Sequence, residues 1–131
     1  MSSRRLNKKG RNNKSRFVML RYDIMDSPAY AALSTVERCV YLAIKRRFNG
    51  HNNGEIPLSC REAAALCNVS KNTASSAFRG IQEKGFVSVT VEAGFNQKGG
   101  RRSRRWRLTE EPFNGHPPTS DWRNWRPETD Q

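Results

Sequence analysis

Serines at 34, 59 and 70 cut the middle of the chain into helices, and no other feature constrains the fold as much. In STVE, Ser34 is followed three residues later by Glu37; in SCRE, Ser59 is followed three later by Glu62. Each is a capping box, in which the serine side chain takes the amide of the third helical residue and the glutamate reaches back. After Ser34, apolar residues fall at Val36, Val40, Tyr41, Ile44 and Phe48. That is one helix face, and Gly50 stops it, so the spacing predicts a first main helix over 35–48. After Ser59, a short helix opens at Cys60 with Ala63, Ala64, Leu66 and Cys67 as its apolar residues, and ends near Cys67. Asn68 suits a left-handed turn position, which asparagine tolerates. Ser70 then caps a third helix over 71–84, with Ala74, Ala77, Phe78 and Ile81 inward, and Gly85 ends it. Upstream, Phe17–Leu20 is an apolar run expected to begin the fold, and a helical turn starts at Ser27 with Pro28 in the first helical position. Ile56–Leu58 is a short strand candidate.

Beyond Gly85 the period changes from helical to alternating. Residues 86–92, FVSVTVE, read as a strand. Residues 103–109, SRRWRLT, place Trp106 and Leu108 on one face and Arg105 and Arg107 on the other, as a return strand. The intervening segment, with Gly94, Gly99 and Gly100, is expected to be a flexible loop. Residues 110–131 contain four Pro, five acids and two Trp, and read as an extended tail. Trp122 and Trp125 either pack back on the domain, the favoured reading because exposed aromatics are costly, or mark a protein partner site. The expected organisation is an arm over 1–16, a domain over 17–109 and a tail over 110–131. The fold class is α+β: three main helices plus a β-hairpin.

The charge is uneven. Residues 1–22 carry eight basic groups, among them Arg4, Arg5, Lys8 and Lys9, and no acid. Residues 93–109 carry six, including Arg101, Arg102, Arg104 and Arg105, again with no acid. Together these exceed the net +12 of the whole chain. Two basic blocks on a near-neutral body are the footprint of a polyanion-binding protein. A basic run alone would serve equally as a solubilising tail. The arm, with Leu6 as its one apolar side chain after the initiator, buries too little to offset its ordering entropy and is expected to be disordered alone.

Cys39, Cys60 and Cys67 form no CxxC pair, and His51 and His116 lie far apart. Neither a metal site nor any other cofactor is expected. Cys39 and Cys67 look like small buried residues, and nothing argues for disulfides, so a reducing cytoplasm, with the protein on the nucleoid, is the expected location. No apolar run approaches the roughly 20 residues of a membrane span, and the basic N-terminus lacks the apolar stretch of a signal peptide.

The segment REAAALCNVSKNTASSAFRGIQEKGFVSV resembles the helix-turn-helix of bacterial winged-helix proteins. The resemblance rests on the small residues Ala63–Ala65, on Leu66 before the turn, on Val69–Ser70 in it, and on the closing Ile81 with Gly85–Phe86. SPAYAALSTVER and NNGEIPLSCREAA extend it to small helix-turn-helix proteins of bacterial chromosomes, phages and mobile elements. It covers about residues 17–109 and, more weakly, TSDWRNW. It implies a winged helix that binds double-stranded DNA, as a transcriptional regulator or as a replication-initiation or element-maintenance factor.

On that reading the outer face of the third helix meets the major groove through Lys71, Asn72, Thr73, Ser75, Ser76 and Arg79. Small residues at 73–76 allow close approach, Asn72 suits adenine, and Arg79 suits guanine or phosphate. Ser70 and the first amides form a phosphate site. Arg101, Arg102, Arg104 and Arg105 would track the backbone or enter the minor groove. Arg4, Arg5, Lys8 and Lys9 would reach a groove from the arm. The plainer alternatives are a solvated helix face and a charged strand that protects a sheet edge. A homodimer would require an inverted-repeat target. An RNA-binding protein is the reading from another class, although RNA readers carry exposed aromatic platforms, and Phe86 and Trp106 look like core. An enzyme is not expected: there is no glycine-rich phosphate loop, acid pair or nucleophile with a base.

Overall fold

All three serine caps are in place. The Ser34 hydroxyl accepts the Glu37 amide at 3.1 Å, and the Glu37 carboxylate accepts the Ser34 amide at 2.8 Å. Ser59 and Glu62 repeat the exchange, both at 3.1 Å. Ser70 accepts the Thr73 amide at 3.1 Å. A computed structural model describes residues 15–92, 94–95 and 101–128, with the backbone alone at 94–95 and 101–102. The capped helices are α3 (Thr35–Arg47), α4 (Cys60–Cys67) and α5 (Lys71–Glu83). Two single turns precede them, α1 (Tyr22–Met25) and α2 (Pro28–Ala31), the first without a sequence signal. Asn68, between α4 and α5, adopts φ 57° and ψ 49°, the left-handed turn expected of it.

The strands are β1 (Ile56–Pro57), β2 (Val87–Val91), β3 (Gly94–Phe95), β4 (Arg101–Arg102) and β5 (Arg105–Leu108). An antiparallel sheet has the order β1-β5-β2, and β3 pairs with β4 beyond it along the same hairpin. Ile56 and Val89 flank Trp106, and Val87 lies opposite Leu108. The architecture is mixed α+β, with α3, α4 and α5 packed together and against the sheet.

The core forms where the inward faces meet. Val40, Tyr41 and Ile44 of α3 join Ala74, Phe78 and Ile81 of α5, and Trp106 and Leu108 of β5, all fully buried. Phe78 stacks on Trp106 at 4.7 Å between ring centroids, and the Trp106 indole donates to the Leu58 carbonyl at 2.9 Å. This is the inner face read from the sequence.

Three expectations are corrected. Phe17, Val18 and Met19 do not begin the core: they are exposed, Phe17 at 81%, and Leu20 is the first residue against it. The run lacks the periodicity that would tie it to a helix or sheet face, and residues 15–21 belong to neither. Leu66 is 59% exposed. The buried stripe of α4 is Cys60, Ala63, Ala64 and Cys67, at i, i+3, i+4 and i+7, and Leu66 lies off it. Cys39 and Cys67 are half-buried free thiols. Burial and a hydrogen bond with Cys39 push the Cys67 thiol up to about 12, so it stays protonated at neutral pH.

The chain after β5 packs onto the domain. The Thr109 hydroxyl donates to the Gly85 carbonyl at 2.7 Å, and the Ser120 amide donates to the Thr109 carbonyl at 2.8 Å. A 3-10 turn, Asp121–Asn124, then delivers Trp122 into the core at 2% exposure, parallel to Phe86 at 6.3 Å. Trp125 packs half-buried beside it. Both tryptophans thus pack back on the domain.

Glu110 is buried between two residues of α3. One carboxylate oxygen accepts from the Tyr41 hydroxyl, and the other from the Lys45 ammonium at 2.5 Å. Burial, then the Glu110 charge, hold the Tyr41 phenol well above its ordinary value near 10. The folded state therefore keeps this proton longer than the unfolded chain. The contribution is constant below about pH 10, and stability falls as pH rises above it. Urea midpoints measured from pH 8 upward should decline from about pH 9, where the Cys67 thiol ionises in the unfolded chain alone, and fall more steeply near pH 10. For Tyr41→Phe that particular drop should be smaller.

Candidate nucleic-acid interface

Helix α5 is amphipathic in the sense the sequence predicted. Ala74, Ala77, Phe78 and Ile81 are buried, whereas Lys71, Asn72, Thr73, Ser76 and Arg79 are exposed and Ser75 is half-buried. Gly80 lets α3 come close: a Cβ there would meet the Glu37 side chain at 1.7 Å. The Ser70 hydroxyl is committed to its own helix, since besides capping Thr73 it donates to the Thr73 hydroxyl at 2.9 Å. The amides of Lys71 and Asn72 make no bond among the described residues and point out of the helix N-terminus.

Most cations of the described residues are already engaged. Lys45 pairs with Glu110, Arg47 with Glu62, Lys84 with Glu37, and Arg21 and Arg123 both with Asp23. The Arg21 guanidinium, hydrogen-bonded to Asp23, holds that carboxyl down to about 2. Arg38, Arg107 and Arg126 donate to carbonyls or hydroxyls. Arg16, Arg46, Arg61, Lys71 and Arg79 have neither an ion pair nor a side-chain hydrogen bond among the described residues. Two of these, Lys71 and Arg79, lie on the outer face of α5, and Arg61 is in the first turn of α4.

Sequence reasoning missed Arg61. Its signal was available: it is a basic residue at the second position of a capped helix, one residue and so about 100° around from the buried stripe.

The hairpin arginines divide. Arg104 pairs with Glu92 at 3.3 Å and lies over the Trp106 ring, and Arg105 pairs with Glu55 at 3.5 Å. Exposed pairs of this kind are weak, so a stronger anion would displace the carboxylates at small cost. Arg101 and Arg102 are on β4, where only the backbone is described. Arg4, Arg5, Lys8 and Lys9 lie outside the described residues. Among the described residues no cluster of His, Cys, Asp or Glu could hold a metal ion, and no helix is long and apolar enough to cross a membrane.

No family model, curated protein or solved structure gives a significant match to this chain.

Proposed function

We propose that the chain is a winged helix that binds double-stranded DNA in a sequence-specific manner, with α5 as the recognition helix and the β2–β5 hairpin as the wing. The observation that carries the reading is the outer face of α5. It presents two cations without an ion pair among the described residues, and the Asn72 amide beside small hydroxyl side chains, on a helix whose other face is locked into the core. The helix–turn–helix order of α4 and α5, joined through left-handed Asn68 and followed by an antiparallel hairpin, supports it. In this mechanism Arg61, Lys71 and the free amides at the start of α5 neutralise phosphates and set the register. Asn72 and Arg79 reach base edges in the major groove. Affinity then comes mainly from counterion release, and specificity from α5. The role is binding rather than catalysis, most simply that of a transcriptional regulator; replication initiation or element maintenance would use the same contacts.

Arg79→Ala tests the assignment. Arg79 is exposed and has no ion pair among the described residues, so the substitution leaves the core intact. On the duplex that the protein selects from a random pool, affinity is expected to drop by about 1–3 kcal/mol, with relaxed preference at one base pair. Equal losses on selected and random duplex would reject base reading by Arg79.

A further inference from the structure

An open groove lies apart from the outer face of α5. The extended segment before α1 runs beside the C-terminal end of α3 and encloses this groove of about 1000 Å³. Its walls include Arg16, Phe17, Arg46, Arg47, Phe48 and Asn52. Arg16 and Arg46 are exposed and carry no ion pair or hydrogen bond among the described residues. Phe17, next to Arg16 in the wall, is 81% exposed, and with Val18 and Met19 it makes a run of three exposed apolar side chains among the described residues. The wall residues include no Asp or Glu.

We propose that this groove binds single-stranded DNA, with Phe17 stacking on an unpaired base while Arg16 and Arg46 hold the phosphates on either side. Charge complementarity selects the occupant: guanidiniums without a carboxylate partner among the described residues attract a polyanion and would leave an apolar protein segment facing uncompensated charge. The phenyl ring selects a single strand over a duplex. In a duplex each base face is covered by its neighbours, whereas an unpaired base offers a π-face to an aromatic side chain. The groove does not depend on the reading of α5, and the two surfaces would let one chain hold a duplex and an adjoining unpaired strand.

The test uses the full chain and a fluorescein-labelled oligothymidylate, with random duplex titrated in parallel by anisotropy. Wild type should bind the oligothymidylate with a salt-dependent affinity. Phe17→Ala should weaken that binding roughly 5- to 150-fold, the range for loss of one base stack. Phe17→Tyr should retain it, and duplex affinity should be unchanged in both. Arg46→Gln should reduce the salt slope for the strand by about 0.7. Phe17 is exposed, so circular dichroism should show all variants folded. The proposal is overturned if wild type does not bind the strand, if Phe17→Ala binds it like wild type, or if Phe17→Ala loses duplex and strand affinity equally. Tighter binding of oligouridylate than of oligothymidylate would overturn the assignment to DNA. Failure of duplex binding alone would count against the role of α5 and leave the groove standing.

Discussion

Glu110→Ala is expected to lower the stability of the fold by about 3–5 kcal/mol, the cost of breaking a buried ion pair from one side. The substitution strands the Lys45 ammonium, whose side chain is 6% exposed, and removes the acceptor of the Tyr41 hydroxyl. Desolvation sets the size of the loss: an unpaired buried charge costs far more than the attraction it gave up. Urea unfolding of the full chain measures it. Glu110→Ala combined with Lys45→Met should recover much of the loss, because the double variant buries no unpaired charge. A single variant as stable as wild type would mean that Lys45 and Glu110 are not paired in the interior.

Trp122→Ala should cost a similar amount, about 3–5 kcal/mol, as a large core side chain replaced by a methyl group. The ring is 2% exposed and parallel to Phe86, which in turn meets Tyr41 of α3 at 5.0 Å, so its removal leaves a cavity beside the Phe86 ring. Its indole nitrogen is buried without a partner among the described residues, so Trp122→Phe keeps most of the packing and should lose much less. The docking depends on Gly85. At φ +88° a side chain is strained, and a Cβ there would meet the Asp121 carbonyl carbon and the Trp122 amide nitrogen at 2.7 Å, both backbone atoms that cannot swing away. Gly85→Ala should therefore destabilise the fold through the same contact. Thermal unfolding that is unmoved by Trp122→Ala would mean that the segment after β5 is not part of the cooperative unit.

What the sequence made legible was local. Ser34, Ser59 and Ser70 announce helix starts because a cap and its partner lie within one turn, and Asn68 and Gly85 announce stops because few residues tolerate their backbone conformations. The inner face of α5 and the alternation around Trp106 follow from period alone. The partnership of Glu110 with Tyr41 and Lys45 was not legible, since it joins residues 69 and 65 positions apart and leaves no mark on either local pattern. Leu66 and Phe17 misled for the opposite reason: composition marks them as core, but neither sits on a stripe that faces it. In the candidate interface, residue type and spacing identified the outer face of α5. Which arginines are free of carboxylates depends on partners such as Glu55 and Glu92, distant in sequence or across a hairpin, and could be seen only in the fold.

The most direct test of the central claim is selection of the full chain on a random duplex DNA pool, with the recovered sequence titrated against salt and against random duplex. The account predicts a defined motif, a clear preference for it over random duplex, and an affinity that falls steeply and linearly in log–log form with salt. Absence of duplex binding at low salt, or binding with no recoverable motif, would contradict sequence-specific recognition by α5.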